Sequence, residues 1–524
     1  MLYLEDELAG QNAQFKQNLR SNADPNEGNR IGELHAELAY LSDVLARQPN
    51  LAEGYRAMGK VLAALGSMEE ALACVQKAKL LGQYQTAGWH EVAAREHFRQ
   101  GRFEEAFNSW KQVLALRPGE IDMLDRIQDG FFHVGQLELA QRLLQCIVDR
   151  NLDIARRHQL DKLGLRFLRL YSNQIGHMGH LDWYVKMTLL GQRASSRPVI
   201  LADNPANPCY LNYWRRYIPD IIVDPVASEL LTPSARYLED GLVAVLDAKG
   251  EQKADYFYAT QVAIQKQWDA EGRPPLLTMS AEDKERGWEC LRRHFGVPPG
   301  AWFVSLHVRH DGNCFESQGT RDAQIPTYIP AIRTIVERGG WVIRMGDRSM
   351  PPLPSMANVI DYAHSPVKSD WMDVFLWAQC RFYLGTNSGP AFIPPTFGVP
   401  VVMTNWSPLG IPDLFIQGLC TFKLYWNELE QRYLSFPEVL SSSLGFTNAP
   451  EHITSKGVSL VDNTPEEIQE VVTEMLERLE GKRSYTTEEN QLQEGFDLLK
   501  NKVPGVGRIG RSFLRKHAQL LTLT

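Results

Sequence analysis

The stretch at 381–405, RFYLGTNSGPAFIPPTFGVPVVMTN, decides the fold class. Its apolar run at 382–384 reads as a strand and Gly385-Thr386-Asn387-Ser388-Gly389-Pro390 as a tight polar turn. A short helix follows, then a second strand at 399–403. Strand, turn, helix, strand is half of a parallel nucleotide-binding sheet. The turn gathers hydroxyls, an amide and glycine N–H groups at a helix start, where unpaired donors and the helix dipole favour an anion. Pro390 suits a first helical turn, which needs no N–H partner there. The glycine spacing matches neither a Walker nor a dinucleotide fingerprint, so a turn in which Ser388 or Asn387 merely caps the helix is the other reading.

Alternation extends outward on both sides. Upstream, AWFVSLHVR (301–309) predicts a strand, 325–340 a helix closing on two glycines, WVIRMG (341–346) and ANVIDY two strands, and 369–380 a helix. Ser369 caps that helix, with Asp370 and Asp373 in its first turn. Further upstream, LRFLRLYSN from Leu165, PVILAD (198–203) and IIVD read as strands. Between them lie the glycine-containing loop IGHMGH (175–180), a helix LDWYVKMTLLG ending at Gly191, and a helix YLNYWRRYI. This is a βαβαβ start. Residues 225–298 read as mostly helical, and Pro298-Pro299-Gly300 marks a boundary. The fold class is α/β: a Rossmann-like half at 160–298, a second at 299–480 and a helical tail at 481–524. Two such halves around a cleft are the architecture of GT-B glycosyltransferases, with ligands beyond the carboxyl ends of the strands.

The first third repeats instead. Glycines 32, 66, 101 and 135 recur at intervals of 34, 35 and 34, and Ala71, Ala106 and Ala140 each follow five residues after one of them. Pro49 and Pro118 stand 17 residues after Gly32 and Gly101, while Glu37 replaces the first alanine. A period near 34 with a turn glycine and a small residue in the next helix predicts an all-α tetratricopeptide solenoid over 1–155. Such arrays bind proteins or peptides on the concave face, or they buttress a neighbouring domain. Trp89, Trp110, Phe98 and Phe107 read as helix-packing residues.

The chain has 524 residues, 44% hydrophobic and 23% charged, with a net charge of −8 and a mean hydropathy of −0.30. That allows several domains and argues against nucleic acid as a partner, so any phosphate site must be a local cluster. The start, MLYLEDELAG, lacks the basic and apolar regions of a signal peptide. No apolar run reaches the roughly 20 residues that span a bilayer, which leaves peripheral association with a membrane open. Seven scattered cysteines (74, 146, 209, 290, 314, 380, 420) with no CxxC point to reduced thiols and a cytoplasmic location.

Polar residues at strand ends are the candidates for chemistry. Arg309, at the carboxyl end of its strand, can offer a planar fork of donors to a diphosphate, or pair with Asp347 or Asp373. His307 lies on the same side by alternation, as a ligand contact or a core histidine. Asp347 can hold a base or ribose hydroxyl, or cap the next turn. Arg321 and Lys368 are further phosphate contacts. Across the cleft, His177, His180 and Asp182 are candidates for a base that takes the acceptor proton, with His177 first, unless the histidines pack against the loop backbone. No two aspartates lie two apart and there is no HExxH or Cys/His cluster, so no metal is expected. A leaving diphosphate must then be neutralised by protein cations and helix N–H groups.

In order and spacing, SLHVRHDG, RDAQIPTYIPAI, GGWVIRMGD, VIDYAHSPVKSDWMDVFLWAQC and LGTNSGPAFIPPTFGVPVVMTN resemble a bacterial family assigned as glycosyltransferases and found with surface-polysaccharide genes. The resemblance covers roughly 160–520, from IGHMGHLD to RIGRSFLRKHAQLL. His307 and Arg309 resemble the HxR element of fucosyltransferases, whose arginine meets the donor diphosphate. The IGH loop resembles the IGD loop of heptosyltransferases, with His177 where the proposed base aspartate stands. Helical repeats ahead of such a domain also resemble protein O-GlcNAc transferases, without their diagnostic motifs. The resemblance implies a metal-independent transferase with no cofactor beyond its nucleotide-sugar donor. Thr386, Asn387, Ser388 and Gly389 would join Arg309 as donor contacts, and the acceptor would be a glycan, a lipid-linked glycan or a protein. The rival expectation is a tetratricopeptide scaffold whose nucleotide-binding part no longer transfers sugar.

Overall fold

The computed structural model describes residues 27–81, 87–116, 127, 130–239, 244–246, 249, 252–254, 257–310, 319–411, 417–482, 484–500 and 507–522. They form two compact units divided after residue 128.

The first unit contains helices Glu27–Arg47, Ala52–Ala64, Met68–Leu80, Ala87–Arg99 and Phe103–Leu116. Each packs against its sequence neighbour. Gly66 and Gly101 take φ of +82° and +72° between helices, a conformation that favours glycine. Ala71 and Ala106 are fully buried, and Trp89, Phe107 and Trp110 are packing residues. A Cβ on Gly59 would stand 2.8 Å from the Trp89 ring, so a small residue is what lets these helices meet. Gly32 departs from expectation: it lies inside the first helix and turns nothing. One glycine costs a helix only about 1 kcal/mol, too little to break a long amphipathic run. Pro118 lies outside the described residues.

The second unit begins before the expected boundary at 155. Helix Leu137–Arg157 belongs to it, and Ala155 packs with Phe167, Val199, Leu201, Ala235 and Leu238. Strands β1 (Leu165–Phe167), β2 (Arg197–Ala202) and β3 (Asp220–Val223) form a small parallel sheet in that order. A hairpin of β4 (Ala244–Leu246) and β5 (Gln252–Ala254) interrupts the segment expected to be helical. Helices Phe257–Ala270 and Ala281–Phe295 then lead to the main sheet.

That sheet contains β6 (Phe303–His307), β7 (Trp341–Arg344), β8 (Val359–Asp361), β9 (Tyr383–Gly385), β10 (Val401–Trp406) and β11 (Leu419–Phe422). Three further strands, β12 (Leu424–Asn427), β13 (Arg432–Tyr433) and β14 (Val458–Val461), make a separate antiparallel sheet, and β15 (Arg508–Ile509) returns to the main one. The order is β15-β11-β10-β9-β6-β7-β8, all parallel. Counted along the chain this is 3-2-1-4-5-6-7, a doubly wound order that reverses between β6 and β9.

Alternation divides each central strand between two cores. Val304, Leu306, Leu384 and Val402 face Ile332, Ile335, Val471 and Val472. Phe303, Tyr383, Val401 and Met403 face the other way, in a cluster that also holds Tyr184, Ile200 and Trp214 of the first half. The two sheets thus share one core. Tyr210 Oη donates to Thr396 Oγ1 at 3.1 Å and Asn207 Nδ2 to the Asp370 carbonyl at 3.0 Å across the same junction.

Two expected elements differ. The segment after Gly389 is a pair of 3-10 turns, Gly389–Phe392 and Pro394–Phe397, because Pro390, Pro394 and Pro395 remove the donors an α-helix needs. Conversely, the IGHMGH loop is a short helix, Ile175–Gly179. The tail is helical at Thr487–Leu499 and Arg511–Lys516, but β15 between them pairs with β11 and finishes the sheet.

The buried carboxylate Glu467 fastens this tail. It accepts from Lys516 Nζ at 2.7 Å, His517 Nε2 at 2.8 Å and the Thr464 N–H at 3.0 Å. Burial alone would raise its pKa, but these hydrogen bonds outweigh it and hold the carboxyl at about 2. A folded pKa below the unfolded one stabilises fully above the unfolded value, and the gain is lost as pH falls through the folded value. Glu467→Ala should therefore lower stability by roughly 2 kcal/mol at neutral pH. In urea titrations the gap from wild type should close as pH drops from about 4 towards 2.

Candidate functional site

The site is built where the sheet order reverses. β6 ends at His307 and β9 at Gly385, paired in register. A Cβ on Gly385 would stand 2.5 Å from the His307 carbonyl oxygen, so glycine lets the two strand ends close up. The Thr386 N–H donates to that carbonyl at 3.2 Å, and Thr386 Oγ1 accepts from the Arg309 N–H at 3.0 Å. Asn387 Nδ2 donates to the Ser407 carbonyl at 2.9 Å. Thr386, Asn387 and Ser388 are buried.

The turn meets the first half directly. A Cβ on Gly176 would lie 2.9 Å from Gly389 Cα, and one on Gly389 would lie 2.8 Å from Gly176 N. A Cβ on Gly179 would lie 2.6 Å from the Phe392 carbonyl oxygen. The two glycine-bearing segments singled out in the sequence are thus in backbone contact, and His177 rides on the helix that makes it.

The other two candidates for a base face inward. His180 is buried, its Nδ1 2.9 Å from Gln261 Nε2 and its ring 4.9 Å from the Phe392 ring. Burial, helped by His177, holds its pKa well below the ordinary imidazole value. Asp182 binds Lys186 Nζ at 2.5 Å, and Lys186 reaches Gln265 Oε1 at 2.7 Å. Burial raises the Asp182 pKa although Lys186 opposes it. Both residues line a cavity of about 60 Å³ with Gln261, Gln265 and Thr396.

Arg309 pairs with Asp322, Nε to Oδ1 at 2.9 Å, not with Asp347 or Asp373 as the sequence suggested. The Gly319 N–H holds the other carboxylate oxygen at 3.0 Å. Arg321 sits beside this aspartate in the turn ahead of the 3-10 helix Ile325–Tyr328. Asp347 Oδ1 accepts from the Ser349 N–H at 2.8 Å and its hydroxyl at 2.6 Å, which is the turn-capping role. Lys368 Nζ lies 3.2 Å from Asp373. His307 feels Arg344, Asp347 and Arg309, and Asp347 feels His307 and Lys368. The structure therefore gathers His307, Arg309, Asp347, Lys368 and the 386–389 turn at neighbouring strand ends.

Sequence reasoning missed Asp322, Asp373 as the partner of Lys368, and the Gln261 and Lys186 contacts. Asp322 stood beside Arg321 in the quoted motif, but nothing local showed which arginine it would take. No group of three His, Cys, Asp or Glu that could hold a metal ion occurs among the described residues. No helix among them is long and apolar enough to cross a membrane.

No protein-family model and no curated protein matches the chain. Among solved structures, E. coli ADP-heptose lps heptosyltransferase II is similar at 13% identity and a TM-score of 0.37, covering 60% of this chain and 99% of its own. An O-GlcNAc transferase mutant from Thermobaculum terrenum is similar at 13% identity and a TM-score of 0.22, covering 97% and 98%. MamA is similar over 27% of this chain and 87% of its own, at 16% identity and a TM-score of 0.21. At these scores the likeness is loose.

His307 Nδ1 is buried without a hydrogen-bond partner. Burial first, then Arg344, lowers its pKa to about 4. Its ring protons, assigned by their loss in His307→Gln, should titrate in NMR near pH 4. A midpoint near the ordinary 6.5 or so would mean the ring is solvated.

Proposed function

We propose that this protein is a metal-independent glycosyltransferase of GT-B type that uses a nucleotide-sugar donor and has no separate cofactor. The observation that carries the proposal is the meeting of the 386–389 turn and Arg309, at the reversal of the main sheet, with the His177 helix from the smaller sheet. Ligands of doubly wound sheets sit at such reversals. In this reading the donor diphosphate lies against Arg309, the Thr386–Gly389 turn and Lys368, with His307, Arg321 and Asp347 nearby. Because the turn leads into 3-10 segments of four residues, side chains and individual N–H groups, not a helix dipole, have to hold the charge. The Asp322 bond uses Nε, one of five guanidinium N–H donors, and a diphosphate would compete with the aspartate for the arginine.

His177 is the proposed base, taking the acceptor hydroxyl proton while the anomeric carbon is attacked and the nucleoside diphosphate leaves. His180 and Asp182 act in support, one bound to Gln261 and the other to Lys186. The acceptor is a glycan, a lipid-linked glycan or a protein in surface-polysaccharide or glycoconjugate synthesis. The helical unit, read as a tetratricopeptide array, positions it or docks a partner, and a cytoplasmic location fits a nucleotide-sugar supply. The second reading is a scaffold with an inactive donor domain. It is favoured by the acids already paired with Arg309 and Lys368.

Incubation with a panel of nucleotide sugars should release one nucleoside diphosphate by slow donor hydrolysis, unaffected by EDTA. Arg309→Ala should lower that rate at least about 100-fold, the usual loss for a donor to a developing anion. His177→Ala should cut transfer with little change in donor KM. Thermal stabilisation by a nucleoside diphosphate without any turnover would favour the scaffold. No stabilisation by any of them would sink both readings.

A further inference from the structure

A buried lysine stands behind the arginine of the candidate site. Lys423 directly follows β11, at the carboxyl end of the main sheet. Its N–H donates to the Trp406 carbonyl at 3.1 Å. The next residue, Ser407, holds Asn387 of the 386–389 turn through its own carbonyl. The side chain of Lys423 reaches the other half of the site. Nζ donates to Asp462 Oδ1 at 2.8 Å and to the main-chain carbonyl of Asp322 at 2.6 Å. Asp322 is the residue whose carboxylate holds Arg309.

The Asp462 end is fixed by its neighbour in the chain. Asn463 is buried and ties the ends of β10 and β11 together. Its Oδ1 accepts from the Asn405 N–H at 2.6 Å and from Thr421 Oγ1 at 2.8 Å. Its Nδ2 donates to the Phe422 carbonyl at 2.7 Å, and its N–H to Asn405 Oδ1 at 2.7 Å. Asn405 takes φ of +55°, a left-handed conformation that asparagine visits more readily than most residues. With Asn463 held in this way, the adjacent Asp462 carboxylate has little freedom.

The Asp322 end belongs to a turn, 319–323, with no helix or strand to place it. The Asp322 carboxylate takes Arg309 Nε and the Gly319 N–H, and the Ala323 N–H donates to the Arg309 carbonyl at 3.1 Å. Thr320 Oγ1 adds a long bond of 3.4 Å to the Asn448 carbonyl. Lys423 is a short, charged link from this turn to the sheet. Stability is a poor account of it. Burying an ammonium carries a large desolvation cost, and apolar replacement of a buried ion pair is often neutral or stabilising. What the pair supplies here is a defined place for the Asp322 carbonyl.

We propose that Lys423, aimed by Asp462, is a positioning residue for donor binding. It holds the 319–323 turn so that Asp322 orients the Arg309 guanidinium towards the diphosphate. The inference rests on the donor reading of Arg309 and the 386–389 turn. It makes affinity for the leaving nucleoside diphosphate depend on a lysine that acts only through the arginine.

The test is calorimetric titration of the full chain with UDP, GDP and ADP. For the nucleotide that binds, Lys423→Met should raise Kd about tenfold, the scale of coupling within one hydrogen-bonded network. Lys423→Arg, which keeps the cation and its donors, should recover most of that affinity, whereas a merely structural lysine would change the melting temperature and leave Kd alone. In an Arg309→Ala background, Lys423→Met should add nothing. Asp462→Asn keeps the lysine and removes the charge that aims it, so it should raise Kd in the same sense, and it serves if Lys423→Met does not fold. Losses that add in the double variant, or an unchanged Kd in Lys423→Met and Asp462→Asn, would overturn the proposal and leave the donor reading standing. Wild type that binds none of the three nucleotides would instead remove the donor reading, and this inference with it.

Discussion

The backbone contact between Gly176 and Gly389 is the constraint on which the arrangement of this protein depends. A helix from the small sheet and a turn from the large one approach so closely that any side chain at either glycine would force them apart. The approach brings the helix that carries His177 against the 386–389 turn, and Gly179 against Phe392 repeats the same device one helical turn on. Behind it lies one hydrophobic cluster that runs from Tyr184, Ile200 and Trp214 into Phe375, Tyr383 and Met403. Backbone contact at the front and a common core behind make the two sheets one body.

Electrostatics at the strand ends follows from burial. A cation brought close to two cores must be partnered, because an isolated charge loses its hydration. Arg309 has Asp322, Lys368 has Asp373 and Arg344 has Asp361. His307 takes the other solution: burial and the neighbouring arginines keep its ring neutral. The outcome is a site whose cations are held in place by carboxylates. On the proposed donor reading, an incoming diphosphate competes with those carboxylates for the cations.

Much of the larger sheet was legible in the sequence, because its strands are buried on both faces and read as apolar runs, two of them ended by Gly385 and Gly346. The cap at Ser369 was legible from its local sequence. What local pattern does not carry is pairing. Asp322 and Asp347 look alike in sequence, and only the chain path gives Arg309 to one and Ser349 to the other. Proline-rich residues 390–395 also misled, since a proline at a helix start and three prolines in six residues announce different structures. β15, two residues long, has no periodicity to read, and Gly32, which keeps the repeat spacing but lies inside a helix, shows that spacing alone does not place a turn.

A shared core also limits how the candidate site can open. Two α/β halves joined by a thin interface are expected to rotate against each other, whereas a large hydrophobic interface resists it. Here rotation would part Tyr210 from Thr396 and Asn207 from the Asp370 carbonyl, and would break the cluster that holds Trp214 and Tyr383 together. Opening of the site is therefore cheapest at its polar rim, where the Arg309–Asp322 pair can part while both sheets stay in contact.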